Sequence, residues 1–147
     1  MKSAEPASEL TDALAAESTG KALDLACGNG RHALWLAGRG WDVTAVDRAE
    51  TAIPGVRFVK ADLERHEFPL APGAWDLIVC WLYWQADLLP LIARAIRRGG
   101  IVALAGKTTG RFATSLDKFR AGFPGWIEIT SGESAGRAWL IIRAPLQ

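Results

Sequence analysis

The sequence predicts an α/β fold built on a parallel sheet, and one stretch carries the observations that indicate it. Residues 22–26 and 43–46 are two short apolar runs. Between them lie a glycine turn at 27–30 and a segment at 31–39. The apolar residues of this segment, among them Leu34 and Trp35, are spaced as in a helix packed on a sheet. A right-handed crossover brings the ends of two parallel strands to one edge of the sheet. The glycine turn and Asp47 therefore face one crevice, where open α/β sheets bind ligands.

The residue types around this crevice suit a nucleoside. Gly28 and Gly30 lack Cβ atoms, so the backbone can approach a ligand closely. The carboxylate of Asp47 can accept hydrogen bonds from both hydroxyls of a ribose, and the following helix offers free N–H groups. Gly28-x-Gly30-x-x-Ala33 also fits the loose dinucleotide fingerprint. Asp24 disfavours that reading, because an acid beside the loop repels a pyrophosphate and attracts a cation.

A known family shares these motifs. The run LDLACGNG at residues 23–30 resembles the loop of class I methyltransferases that binds S-adenosylmethionine (SAM), which carries an ammonium, a sulfonium and a carboxylate but no phosphate. Residues 31–47 resemble bacterial tellurite-resistance-type methyltransferases. The close resemblance covers about residues 21–48, and a looser one runs to the C-terminus. It implies a three-layer sandwich with a doubly wound, mostly parallel seven-stranded sheet in the order 3-2-1-4-5-7-6, one strand being antiparallel.

Length and composition limit the other possibilities. A chain of 147 residues is expected to form one domain, residues 1–147. A net charge of +1 gives no electrostatic argument for nucleic acid or an anionic membrane. No apolar run reaches the ~18 residues of a membrane span, and no leader pattern is present, so a cytoplasmic location is expected. Two cysteines and two histidines in no ligand pattern predict no metal.

The remaining elements follow from periodicity and turn residues. Helices are predicted at 6–17, 87–98 and 112–121. Strands are predicted at 56–60, 75–80, 101–105, 126–130 and 137–143, with a six-residue turn between the last two. The crossover at 48–55 is too short for a full helix, which departs from the family pattern. The strand at 56–60 then lies at an edge of the sheet with a thinly covered face, so a homodimer or a tight partner contact is expected.

The motifs and the resemblance together assign two groups of residues. The expected cofactor residues are Asp24, Ala26, Cys27, Gly28, Gly30, Asp47, Arg48, Asp62, Leu63, Cys80 and Trp81. The substrate candidates are His32, Tyr83, Trp84, Gln85 and Lys107. Structural alternatives stay open for several of them: His32 as a polar residue of the helix, Asp62 as a helix N-cap, and the aromatic residues as core. None of the residues at 81–85 is a convincing general base, so the catalytic residue is unassigned.

These expectations lead to SAM-dependent methyl transfer to a small molecule, namely a thiol, an amine or a soft anion, with S-adenosylhomocysteine (SAH) as the product. Direct displacement depends on alignment more than on acid–base chemistry. The absence of an obvious base and the trimmed crossover leave a second possibility, a SAM-binding regulatory or partner subunit without turnover. An NAD-linked enzyme is a third.

Overall fold

A seven-stranded sheet forms the centre of the molecule. The computed structural model describes residues 5–146. Its strands are β1 (Lys21–Leu25), β2 (Asp42–Asp47), β3 (Arg57–Lys60), β4 (Trp75–Trp81), β5 (Ile96–Lys107), β6 (Ile127–Ser134) and β7 (Arg137–Arg143). They lie in the order β3-β2-β1-β4-β5-β7-β6, and β7 is antiparallel to both of its neighbours. The predicted order and the single antiparallel strand are confirmed.

Helices cover both faces of the sheet. On one face, α1 (Ser8–Leu14) and α2 (Arg31–Gly38) pack on β1, β2 and β4. On the other face lie α3 (Leu88–Ala95), α4 (Leu116–Ala121) and a short 3-10 helix at Leu63–Arg65. The result is the predicted three-layer sandwich.

Strand β4 shows how alternation divides its side chains between the two faces. Leu77, Val79 and Trp81 belong to the cluster beneath α1 and α2. Ile78 and Cys80 belong to the cluster beneath α3. Because successive side chains of a strand point to opposite faces, Trp81 and Cys80 are separated although they are adjacent in sequence.

Two predicted helix features are wrong. Helix α2 buries His32, Ala33 and Leu36, whereas Leu34, which was expected to help pack the helix on the sheet, is 50% exposed. Helix α3 ends at Ala95 rather than near residue 98, because the backbone of the next residue, Ile96, is extended and pairs with Trp75 in the sheet.

The C-terminal region differs in three further ways. Strand β5 begins at residue 96, so Arg97 lies on a strand and forms an ion pair with Asp76 instead of completing a helix end. Phe112 lies outside α4 and is 63% exposed. The predicted six-residue turn shrinks to Ala135 and Gly136, both in the left-handed region, which suits a tight hairpin.

The short crossover between β2 and β3 contains no helix, as predicted. Ile53 is buried there and helps to cover the same face as α2. Its side chain lies so close to Gly30 that a Cβ on Gly30 would stand 2.5 Å from the Ile53 Cδ1 atom. The missing side chain of Gly30 therefore makes room for this compact crossover.

Strand β3 is an edge of the sheet, as predicted. Its apolar residues Phe58 and Val59, together with the preceding Val56, are partly buried against the two core clusters. None of the helices found in residues 5–146 has the length and apolar character needed to cross a membrane.

We expect Gly30→Ala to destabilise the protein more than Gly110→Ala. Both glycines have positive φ, +81° and +93°, so both variants carry a backbone cost of roughly 1 kcal/mol. Only Gly30 also has the Ile53 side chain in the way, whereas nothing lies within 4 Å of a Cβ at Gly110. Urea unfolding of the two variants measures the difference, which overpacking places at roughly 1–3 kcal/mol. Equal losses of stability would show that Ile53 does not require a glycine at position 30.

Candidate functional site

A cavity of about 740 Å³ lies at the carboxyl ends of β1, β2 and β4. Twelve of the predicted residues line it: Asp24, Ala26, Cys27, Gly28, His32, Asp47, Arg48, Asp62, Leu63, Trp81, Tyr83 and Lys107. The topology explains this convergence, because the ends of parallel strands meet at one edge of the sheet.

One carboxylate ties the glycine loop to the end of β2. Oδ2 of Asp47 accepts a hydrogen bond of 2.9 Å from the backbone N–H of Gly28. Oδ1 accepts one of 3.0 Å from the backbone N–H of Ala49, at the start of the crossover. Carboxylate oxygens have further lone pairs, so Asp47 can hold the loop and still accept from a ligand.

The loops that follow β1 and β4 have unusual backbone conformations. Ala26 and Leu82 come directly after these strands, and both have positive φ, 54° and 58°. A left-handed conformation costs a residue with a Cβ atom roughly 1–2 kcal/mol. Both residues line the cavity, so part of the backbone strain lies at the edge where a ligand would lie.

Asp24 lies in the wall of the cavity and is only 1% exposed. A hydrogen bond from the backbone N–H of Ala33 engages its carboxylate, while Oδ2 has no partner in the described structure. Burial raises the pKa of Asp24 to about 7; the Ala33 hydrogen bond and Arg31 oppose this rise, and the charge of Asp47 adds to it. A buried carboxylate oxygen without a partner is costly, so this atom is suited to accept a hydrogen bond from a cationic ligand.

Trp81 supplies a hydrogen-bond donor, whereas Asp24 supplies an acceptor. It is 6% exposed, it lines the cavity, and its indole Nε1 is buried without a partner in the described structure. An indole N–H can only donate a hydrogen bond. The same cavity therefore contains one unused buried acceptor, on Asp24, and one unused buried donor, on Trp81.

His32 lines the cavity, but one of its nitrogens is already engaged. Its Nε2 accepts a hydrogen bond of 3.1 Å from the backbone N–H of Ala7, and its ring meets the Trp81 ring edge-on at 5.8 Å. Burial, with a smaller contribution from Arg31, lowers the pKa of His32 to about 4. The neutral imidazole thus holds the chain preceding α1 against the cavity wall.

Asp62 is a helix N-cap, which is the structural alternative that the sequence left open. It caps the 3-10 helix, with Oδ1 accepting a hydrogen bond of 3.0 Å from the N–H of Glu64. Asp62 and Leu63 also line the cavity, so the cap and a ligand contact are compatible.

A second cavity of about 310 Å³ adjoins the first, with which it shares Glu64, Tyr83 and Phe112. Two substrate candidates, Trp84 and Gln85, line it together with Asp87. The Tyr83 hydroxyl donates a hydrogen bond of 2.7 Å to Gln85 Oε1, and Gln85 Nε2 donates one of 3.1 Å to the carbonyl of Leu63. This chain of hydrogen bonds fixes the two side chains relative to the 3-10 helix.

Two predicted cofactor residues do not line either cavity. Gly30 gives its space to Ile53, as described above. The side chain of Cys80 packs in the cluster on the other face, where burial raises the pKa of its thiol to about 12.

Sequence reasoning missed several lining residues: Asn29, Arg31, Ala61, Glu64, Leu82 and Phe112. Each of the first five is adjacent in sequence to a predicted site residue, and this adjacency could have indicated it. Phe112 gave none, because its place depends on the loop that follows β5. Residues 5–146 contain no group of three or more His, Cys, Asp and Glu side chains arranged to hold a metal ion.

Comparison with known proteins gives a family match over part of the chain and a shared fold over nearly all of it. Residues 2–69 match the family model described as tellurite resistance protein TehB. The structure superimposes on TehB of Haemophilus influenzae with a TM-score of 0.80 at 17% identity, covering 95% of this chain and 62% of that one. The chain has the class I SAM-dependent methyltransferase fold. Its N-terminal half is TehB-like in sequence, which confirms the resemblance found there.

Other relatives agree with this methyltransferase fold. A SAM-dependent methyltransferase of Mesorhizobium loti superimposes with a TM-score of 0.72 at 16% identity, over 96% of this chain and all of the other. The 1,6-didemethyltoxoflavin-N1-methyltransferase of Burkholderia thailandensis, solved with SAH, gives 0.67 at 19% identity, covering 93% and 75%.

The sequence relative is much longer than this chain. Hemagglutinin 1 of Eikenella corrodens is 38% identical over 69 residues, which are 47% of this chain and 22% of that protein.

We expect Asp24→Asn to change how stability depends on pH. The folded state keeps the Asp24 proton up to about pH 7, whereas the unfolded chain releases it near 3.8. Between these values the folded state binds more protons, so wild-type stability falls as pH rises. The Asn variant has no carboxyl group at this position, so its free energy of unfolding does not fall for this reason. The difference in free energy of unfolding between the variant and wild type should therefore grow, in favour of the variant, by up to about 4 kcal/mol from about pH 4 to 8.

Denaturant unfolding across that range measures the effect. Asp42→Asn, the same change at an exposed position of β2, is the control and should show no comparable trend. A constant difference between Asp24→Asn and wild type would contradict a raised pKa at Asp24.

Proposed function

We propose that the chain is a SAM-dependent methyltransferase that acts on a small molecule. The observation that carries the proposal is the pair of unused buried groups, Asp24 Oδ2 and Trp81 Nε1, in one cavity. The amino-acid end of SAM carries an ammonium and a carboxylate. An acceptor and a donor in the same cavity match those two charges.

The other residues of the cavity fit the nucleoside end. Asp47 accepts from the ribose hydroxyls, with the adjacent Arg48 beside it. Ala26, Cys27 and Gly28 supply backbone that passes close to the ligand. Oδ1 of Asp62 caps the 3-10 helix, so we assign Oδ2 to the adenine amino group and Leu63 to the face of the ring.

When bound, SAM supplies a methyl group activated by its positive sulfonium. The chain's own residues would bind the two ends of SAM, orient it and exclude water. Orientation is the main requirement of a direct displacement. Tyr83 and Lys107 also line the cavity and stay proposed acceptor contacts. A cytoplasmic location and self-association through the β3 edge also stay predictions.

The direct test has two steps. Calorimetry with SAM, SAH and NAD⁺ measures which ligand binds, and we expect SAM and SAH but not NAD⁺, since the buried acid Asp24 disfavours a pyrophosphate. Transfer of a labelled methyl group to a panel of small molecules then measures turnover. SAH binding without transfer to any acceptor favours the non-catalytic SAM-binding subunit, whereas NAD⁺ binding without SAH binding overturns the proposal.

We expect Asp47→Ala to weaken SAH binding by roughly ten- to a hundred-fold, which is the value of a hydrogen bond to a charged group. The variant loses the ribose acceptor and also the two hydrogen bonds that hold the glycine loop. Calorimetry measures the affinity, and Glu50→Ala, an exposed acid three residues away, is the control.

A thermal unfolding curve for each variant separates lost binding from lost folding. If folded Asp47→Ala binds SAH as tightly as wild type, Asp47 does not contact the ribose.

A further inference from the structure

We propose that the second cavity is the acceptor site and that it takes an organic amine. This inference rests on the proposed methyltransferase function and selects one of the three acceptor classes that the sequence left open. It is carried by the position of the cavity, its aromatic walls and the sign of its charge.

The position of the cavity suits an acceptor. It shares Glu64, Tyr83 and Phe112 with the first cavity, so the two cavities lie side by side. Its volume of about 310 Å³ is at the small end of ligand sites, which suits a molecule of one or two rings.

The walls are aromatic and partly fixed. Tyr83, Trp84 and Phe112 line the cavity. The hydrogen bond from Tyr83 to Gln85 holds the phenol ring, and the Trp84 ring packs edge-on against Phe119 at 5.5 Å. Aromatic faces attract organic cations, especially when several of them enclose one position.

The charged lining residues of this cavity are both acids. Glu64 and Asp87 line it, and neither Lys nor Arg is among the lining residues described. Nε2 of His66 lies 2.8 Å from Oδ2 of Asp87. The other carboxylate oxygen of Asp87 is left for a ligand. The basic residues Arg31, Arg48 and Lys107 line only the first cavity.

The pKa of Tyr83 also reflects the acidic surroundings of the second cavity. Its pKa is raised to about 12 by burial and then by Glu64, Cys80 and Asp62, whereas Arg48 has the smallest influence and acts in the opposite direction. The wall between the two cavities is therefore a place where negative charge is unfavourable.

The chemistry of transfer distinguishes the acceptor classes. An ammonium first loses one proton to solvent at the exposed rim of the cavity. The lone pair on nitrogen forms a bond to the methyl carbon as the carbon–sulfur bond breaks, and that electron pair stays on the sulfur of SAH. The positive charge thus moves from sulfur to nitrogen, towards the carboxylates and aromatic faces that stabilise it. A thiolate or oxyanion acceptor would instead bring negative charge to Glu64 and Asp87.

Binding to SAH-saturated protein tests the inference without requiring turnover. The probes are phenethylamine, 3-phenylpropionate, which has a similar shape and the opposite charge, and selenite. We expect phenethylamine to bind at least ten-fold more tightly than either anion in calorimetry. We also expect mass spectrometry to detect N-methylphenethylamine when SAM replaces SAH.

Matched variants locate the site. Glu64→Gln and Asp87→Asn keep the shape of the side chain and remove its charge, and each should weaken phenethylamine binding roughly two- to five-fold, as expected for exposed charge pairs. Asp117→Asn, a 95% exposed acid on α4, is the control and should leave binding unchanged.

The following results would contradict the inference or the function on which it rests. Equal or tighter binding of either anion, absence of phenethylamine binding, or amine affinity that neither Glu64→Gln nor Asp87→Asn changes would overturn the amine site while SAH still binds. Failure of SAH itself to bind would instead overturn the proposed function.

Discussion

The cavity depends on the carboxylate of Asp47 more than on any other single group. Its two oxygens accept hydrogen bonds from Gly28 and Ala49, so it joins the loop after β1 to the chain that leaves β2. Each of these two segments has a backbone N–H group that no strand satisfies, and Asp47 accepts a hydrogen bond from both. One side chain at the end of β2 therefore fixes the shape of the loop and positions an acceptor at the same edge of the sheet.

The short crossover shows how this scaffold is kept compact. A parallel sheet needs cover on both faces, and here no helix follows β2. Ile53 covers part of that face instead, and it can do so only because Gly30 has no side chain. The second glycine of the motif is thus used for packing between chain segments, while Gly28 lines the cavity.

Charge divides the site into two parts. In the first cavity, a buried acid that is costly to ionise faces the space with an unused oxygen, beside an unused indole donor. In the second, exposed acids stand among aromatic rings, with no basic side chain in the described lining. The first arrangement suits a zwitterion held tightly, and the second suits a cation that must enter and leave. The proposed reaction moves a positive charge from the first part to the second.

The sequence by itself determined the layered fold, the strand order through its family resemblance, and most of the residues that line the first cavity. These features depend on local pattern: the glycine turn, the acids at 24 and 47 and the apolar runs all lie within one strand–helix–strand unit, whose geometry is nearly fixed. Periodicity also located α3, although not its end, because the pairing of Ile96 with Trp75 overrides helix propensity there.

Only the tertiary structure decided the rest. It placed Trp81 and Cys80 on opposite faces of the sheet, and it filled the space beside Gly30 with the side chain of Ile53. It also joined His32 to Ala7 by a hydrogen bond. It brought Phe112 into the same cavity as Glu64 and Asp87. Each of these contacts joins residues that are distant in the chain or depends on which face a strand residue occupies. Local sequence pattern carries little information about such contacts, because they are set by the packing of whole elements.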